Sequence, residues 1–447
     1  MNVLCPLCDE NITLLDVAQR EAHADRCLEA MEGGHKLVVK EETAISTELK
    51  VETALIEKPL SDERDERLER IARKDKELEL TYEAHLTKPK KRRNFKERKS
   101  EPPLKRSIPF FKILTFPGSK FAVDAFCYGP LEVDAYFLTH FHSDHYGGLS
   151  GSWKWGPIYC TPATARLVHY KLNVDPKYLC EVEIGQPCIV NGVRVFFLDA
   201  NHCPGSSIIL FNNKVLHTGD FRASPEILET VRGYTTKLDK CYLDTTYLDP
   251  KRVFPTQSYV ISRCVEHCLS VQSTNQRSFF LKPRENRLLV MVGSYTIGKE
   301  RLAIAIAKAL DSKIWTPEPK LQILNLLKDN DLDELLLKSG NGVTCQVHLV
   351  SMSELNKEKL AERWKFLKKH YTHLLAFVPT GWTFRGTFDP ASLPCPTSGT
   401  IGICKVPYSE HSSYEELQNF CNGIQIGKII ATVGSAHLNI LQQWETR

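Results

Sequence analysis

Thr-His-Phe-His-Ser-Asp-His, residues 139–145, puts three imidazoles and a carboxylate within six positions. An apolar run, AYFL (135–138), precedes it and Gly147-Gly148 follows shortly after, so it reads as a loop at the tip of a strand. His140, His142, Asp144 and His145 are all good ligands for a borderline cation such as Zn²⁺. Side chains two apart on extended backbone point to one side, so His140 and His142 suit one ion. Asp144 and His145 fall on a different side and suit a second.

Strand tips of the same style recur further along the chain. VFFLDANHCPGS ends with His202, KVLHTGDF with Asp220, YLDTTY with Asp244 and VPYSEHSS with His411. Each alone is commonly a turn or cap residue. Together they place single His or Asp groups at one end of several strands, where an active site would collect. Cys203 beside His202 is either a free thiol or part of that site. The strands themselves are predicted from apolar runs that end in polar clusters: 135–140, 193–200, 207–220 and 240–247. Asn212-Asn213 stands where a hairpin turn belongs. From about 256 to 390 the rhythm becomes strand–helix alternation, with RLLVMVGSY (287–295) leading into the apolar helix IGKERLAIAIAKAL.

THFHSDH, NHCPGS and HTGDF, spread over about 80 residues, resemble the metallo-β-lactamase hydrolases, and VDAF (123–126) fits their upstream Asp at Asp124. LDTTY, GSYTIGKE, YSEHSS and IIATV further resemble the β-CASP nucleic-acid-processing branch, and within it the DNA cross-link repair 5′-exonucleases. The resemblance covers roughly 107–447. It implies an α/β fold: an αββα sandwich of two facing mixed sheets, begun by 107–255, interrupted by a β-CASP domain at 256–390 and completed by 391–447. It implies that His140, His142, His202 and Asp220 hold a first zinc, and that Asp144, His145, Asp220 and His411 hold a second, with Asp220 bridging and one or both ions present. Asp124 would orient the ligand loop and Asp244 would orient His411 or a water. The third β-CASP position falls at Val433, as in DNA-directed members, with His437 four residues on as the competing register.

Such a site suits phosphodiester hydrolysis, because zinc lowers the pKa of bound water from about 15.7 to ~7 and makes hydroxide available at neutral pH. GSYTIGKE (293–300) sits at a strand-to-helix junction whose backbone N–H groups suit phosphate, with Lys299 adding charge; its glycine spacing is not that of a Walker loop. By resemblance, Ser294, Thr296 and Lys299 form a pocket for a substrate 5′-phosphate, which would make the enzyme a 5′-to-3′ exonuclease of single- or double-stranded DNA. Trp382 in PTGW either stacks on a base or fills the core. The rival functions are an RNA-processing endonuclease on the same fold, a small-molecule thioester or lactam hydrolase, and a ubiquitin-reading scaffold without activity.

The whole chain of 447 residues is 42% hydrophobic and 25% charged, ordinary for a globular protein of two or three domains. No apolar run reaches the ~18 residues of a membrane helix. The acidic start lacks a secretory pattern, so the 15 cysteines read as free thiols and metal ligands in a reducing compartment. Net charge is only +4, but Lys88–Arg106 carries ten Lys/Arg against two Glu. That stretch ends a charged linker (31–106), poor in large apolar residues. KPKKRR (88–93) reads as a nuclear import signal or a nucleic-acid contact, and a nucleus is the expected location. Residues 1–30 hold Cys5, Cys8, His23 and Cys27 at structural zinc spacing. CPLC…HADRCL resembles the ubiquitin-binding zinc fingers of DNA-repair proteins, with Asp25 at the ubiquitin contact. The acidic balance of residues 9–30 argues against a DNA-binding finger.

Overall fold

In a computed structural model of the chain, the described residues are His23, 107–276, 287–381, 388–396, 399–434 and 437–446. Cys5, Cys8, Cys27, Asp25, the linker 31–106 and Trp382 lie outside them; His23 is described as a buried helical residue. No helix among the described residues is long and apolar enough to cross a membrane.

The first sheet has five strands in sequential order: β1 (Ile113–Phe116), β2 (Ser119–Val123), β3 (Ala135–Phe137), β4 (Ile158–Cys160) and β5 (Leu179–Glu181). Next come β6 (Pro187–Val190), β7 (Val193–Asp199), β8 (Ser207–Phe211), β9 (Val215–His217) and β10 (Lys237–Leu243). A separate, wholly parallel sheet contains β11 (Leu288–Ser294), β12 (Ile314–Trp315), β13 (Val347–Ser351), β14 (His373–Pro379) and β15 (Ile401–Val406), in the order β12-β13-β11-β14-β15. Finally β16 (Gln425–Ala431) returns to pair in parallel with β10, giving a six-stranded second sheet ordered β16-β10-β9-β8-β7-β6.

Period-two alternation decides which face each residue serves. In the first sheet Ala135 and Phe137 point the same way as Phe121 and Val123, and they share one cluster with Val195, Phe197, Ile209 and Phe211 of the second sheet. The two sheets therefore face each other, and Phe121, Phe137, Phe197 and Phe211 interlock across the gap. The alternate residues Tyr136 and Leu138 face outward, against Leu167 and Val168 of the helix Pro162–Leu172. Phe196, Leu198, Ile208 and Leu210 face outward on the other side, against helices Pro225–Arg232 and Tyr414–Gly423. The layers run helix, sheet, sheet, helix.

Asn212 and Asn213 both take positive φ, 49° and 56°, and join β8 to β9 in the expected tight turn. β11 is buried at all seven positions, as a central parallel strand with helices on its faces should be. One expected boundary is corrected. The sandwich was to resume at 391, but β15 pairs with β14 in the third sheet, and only β16 rejoins the second. A parallel central strand and a sandwich strand share the same dense apolar pattern, so Ile401–Val406 carries no local mark of its sheet.

Candidate metal centre

The charged and imidazole residues all leave the sheets at strand tips. Asp124 follows β2, His140 and His142 follow β3, His202 follows β7, Asp220 follows β9, Asp244 follows β10 and His411 follows β15. These tips meet. His140, His142 and His202 form one group with Cys203, His140, His145 and Asp220 a second, and His202, Asp220 and His411 a third. Within each group the donor atoms lie within 4.8 Å of one another. Asp144 stands beside them, its carboxylate 3.7 Å from His145 Nε2.

His140 Nε2 and His142 Nδ1 are 3.0 Å apart, and His202 Nε2 is 3.1 Å from the same His142 nitrogen. Asp220 Oδ2 is 3.2 Å from His145 Nε2, 3.8 Å from His140 Nε2 and 4.0 Å from His202 Nε2. Donor atoms about 2.0–2.1 Å from one tetrahedral ion lie roughly 3.3 Å apart, so these separations fit.

The outer nitrogen of each ring fixes the tautomer. His202 Nδ1 donates to the Glu410 carbonyl at 2.9 Å, and His142 Nε2 to the Ile297 carbonyl at 3.3 Å. His145 Nδ1 donates to Asp124 Oδ2 at 2.7 Å and His411 Nδ1 to Asp244 Oδ2 at 2.8 Å. His140 Nδ1 lies 3.0 Å from the Thr139 hydroxyl. That hydroxyl spends its only proton on Asp124 Oδ2, 2.8 Å away, so it accepts from His140. With the protons outward, the inner contacts are lone pair against lone pair. That is unfavourable among neutral imidazoles and favourable around a cation, so the residues present fit a metal ion.

The electrostatics favour neutral, ligand-competent imidazoles at His140 and His202, and a charged pair between His145 and Asp220. Burial pushes the His140 and His202 imidazoles well below their ordinary pKa, and neighbouring imidazoles push the same way. Burial works against charge on His145, but Asp220, Asp144 and Asp124 hold its pKa well above the ordinary value. Burial would raise the Asp220 carboxyl, yet His145, His411 and His140 hold it well below the carboxylate range. Asp124, buried too, is lowered by His145, by Lys112 and by the Thr139 N–H.

Asp244 binds His411 and also accepts from the Phe221 N–H at 3.3 Å. Val433 is tied to Thr245, the neighbour of Asp244, through its N–H at 3.3 Å. His437 is solvent-exposed and belongs to none of the donor groups.

A cavity opens beside His202 and His411, with Lys299, Tyr295, Thr380 and Tyr408 among its walls. Lys299 is buried, its ammonium 3.8 Å over the Tyr295 ring and 4.0 Å from the Glu410 carboxylate. The expected phosphate cradle of backbone N–H groups needs correction. The Gly298 N–H donates to Glu300 at 2.8 Å and the Lys299 N–H to Glu410 at 2.6 Å, so two carboxylates already take these donors. Ser294 and Thr296 are not brought to the cavity wall. Ser294 is fully buried within β11, its hydroxyl toward the Val350 carbonyl at 3.4 Å.

Four residues escape a reading by motif. Thr139 relays His140 to Asp124. Glu410 carries a carbonyl to His202 and a carboxylate to the Lys299 amide. Tyr408 lines the cavity. Arg222, buried, bonds Glu416, the Ser409 carbonyl at 2.7 Å and the Pro255 carbonyl at 3.1 Å, and so fastens the loop bearing His411. Their local signal was position alone: Thr139 opens THFHSDH, Tyr408 and Glu410 stand within VPYSEHSS, and Arg222 directly follows HTGDF.

Residues 333–437 match the family DNA repair metallo-beta-lactamase. The DNA cross-link repair protein pso2/snm1 of Schizosaccharomyces pombe is 37% identical over 356 residues, covering 73% of this chain and 61% of that protein. DNA cross-link repair protein SNM1 of Arabidopsis thaliana is 40% identical over 348 residues, 76% of this chain and 69% of that one. The 5′ exonuclease Apollo of Gallus gallus is 32% identical over 303 residues, 67% and 58% of the two chains. The chain thus spans less than two thirds of the first and third of these relatives.

Proposed function

We propose, on the premise that this chain belongs to the SNM1 family of DNA cross-link repair proteins, that it is a metal-dependent nuclease hydrolysing DNA 5′-to-3′ from a phosphorylated end in cross-link repair. The observation that carries this reading is the convergence of imidazoles and Asp220 with their lone pairs toward shared points. His140, His142, His202 and Asp220 would hold one ion, and Asp144, His145, Asp220 and His411 a second. Zinc suits this imidazole-rich donor set, and such a cation supplies Lewis acidity toward water and phosphate oxygens.

The protein's own groups prepare the site. Asp124 and Asp244 hold the His145 and His411 rings by their Nδ1 protons, so these rings need no reorientation when substrate arrives. Burial of His140, His202 and Asp220 keeps bulk water off the donors. Lys299 brings positive charge to the cavity wall beside His202 and His411, where an anionic strand end would rest. Of the trio assigned to the 5′-phosphate by resemblance, it is the member favoured by position over Ser294 and Thr296.

In this reading 107–255 and the return through β16 build the hydrolytic sandwich, and the third sheet is the β-CASP domain. The Cys5, Cys8, His23 and Cys27 quartet would hold a structural zinc and read ubiquitin, and KPKKRR would direct the chain to the nucleus. The test is degradation of end-labelled strands by the purified chain, with and without chelator. Chelator-sensitive loss of 5′-phosphorylated DNA, faster than RNA of the same sequence, is expected. Preference for RNA, or activity indifferent to chelator, would overturn the proposal.

A further inference from the structure

Lys112 closes the single helical turn Phe110–Lys112 that leads into β1. β1 pairs antiparallel with β2, and Ile113 stands opposite Ala122. Lys112, one residue earlier, therefore comes level with the end of β2, within reach of Asp124. Its ammonium does not run out to water, as a lysine head ordinarily does. The residue is only partly exposed, and Nζ donates to the Asp124 carbonyl at 2.6 Å.

Asp124 depends on such a hold. Along β2, Phe121 and Val123 face the opposite sheet and Ala122 faces the outer helix layer. Continued alternation would carry Asp124 onto the face of Ala122. Its φ of 49° ends the alternation, and the carboxylate instead accepts from the Thr139 N–H, the Thr139 hydroxyl and His145 Nδ1. A left-handed backbone is unfavourable for a non-glycine residue and persists only where its surroundings over-determine it. Here both backbone groups are taken, the N–H by the Phe137 carbonyl at 2.9 Å and the carbonyl by Lys112. The second bond has a charged donor, which is the stronger kind. The charge also counts. Burial would raise the Asp124 carboxyl; His145 pulls hardest against that, and the Lys112 ammonium pulls the same way.

We propose that Lys112 is a positioning residue of the metal centre: its grip on the Asp124 carbonyl keeps the left-handed turn that aims the carboxylate at Thr139 and His145. Loss of the ammonium then loosens two ligand rings together, His145 directly and His140 through Thr139. The proposal rests on the reading of these residues as a metal centre. Lys112 reaches the ligands through Asp124, so it is not itself a catalytic residue.

The test titrates zinc on the full chain against a chromophoric chelator, with Lys112→Met and Lys112→Arg alongside. The His202→Ala/Asp220→Ala chain marks which zinc belongs to this centre. Methionine keeps the apolar stem and removes the charged donor. It should weaken zinc binding there about ten-fold, the low end of the usual loss when a ligand's support is removed, because Lys112 stands one contact further out than Asp124. Arginine keeps a charged donor and should hold affinity within about three-fold. Wild-type affinity in Lys112→Met, whatever its melting temperature, would overturn the proposal, since a merely structural lysine would behave so. An equal fall in both variants would overturn it too, by assigning the effect to side-chain shape. A second readout needs no metal. In the chelated chain the His145 Nδ1 proton, shared with a buried carboxylate, should give a far-downfield NMR signal, identified by its loss in Asp124→Asn. That signal should vanish from Lys112→Met and persist in Lys112→Arg; its persistence in Lys112→Met would count against Lys112 in the same way. A wild-type chain that holds no zinc here yet shows the expected NMR pattern would sink the metal reading and leave Lys112 in its role.

Discussion

Asp124 adopts a left-handed backbone conformation, φ 49°, that costs a non-glycine residue energy, and its side chain spends every contact on the site. Oδ1 accepts the Thr139 N–H at 2.9 Å, and Oδ2 accepts both the Thr139 hydroxyl and His145 Nδ1. One carboxylate therefore fixes two rings, His145 directly and His140 through Thr139. Asp124→Asn keeps the shape but replaces one acceptor oxygen with a donor. Metal affinity, read by competition with a chromophoric chelator, should fall about 10- to 100-fold, the usual cost of losing such support. Unchanged affinity would mean that Asp124 serves the fold and not the ligands. Residues of this kind were half legible. The close spacing in THFHSDH exposed the ligands because imidazole and carboxylate are scarce together. Their supports come from far along the chain: His202 Nδ1 finds the carbonyl of Glu410, 208 positions away, and the Lys299 amide finds its carboxylate 111 positions away. No local pattern announces such pairs.

Among the elements, the tip after β9 shows how tightly the loops are seated. Gly219 has φ 54°, and a Cβ there would lie 2.7 Å from Cβ of Thr139 and 2.8 Å from its other side-chain atoms. Thr139 cannot retreat, because its hydroxyl and amide are both bonded to Asp124. Gly219→Ala should thus combine backbone strain with overpacking and lower stability by about 2–4 kcal/mol, read as a fall in the urea midpoint. A change under about 0.5 kcal/mol would show that the two tips can separate. The strands that carry these tips were legible, since inward and outward residues alternate along β7 and β8 as the clusters require. Sheet membership was not. β15 looks like a sandwich strand and pairs with β14, because strand order is set by long-range pairing and not by composition.

At the scale of the molecule, two facing sheets and one parallel sheet deliver their strand tips to a common place. β15 of the third sheet leads into the loop that brings His411 and Tyr408, while β3, β7 and β9 of the sandwich bring the remaining donors. Arg222 joins these contributions: from the loop after β9 it reaches the Ser409 carbonyl, just before His411, and the Glu416 carboxylate that caps the following helix. The direct test is elemental analysis of metal bound to the purified chain and to its His202→Ala/Asp220→Ala variant, with DNA hydrolysis measured on the same samples. The variant should carry at least one metal equivalent fewer per chain and hydrolyse no DNA. Equal metal content in the two proteins, with hydrolysis retained, would contradict a metal centre built from these residues.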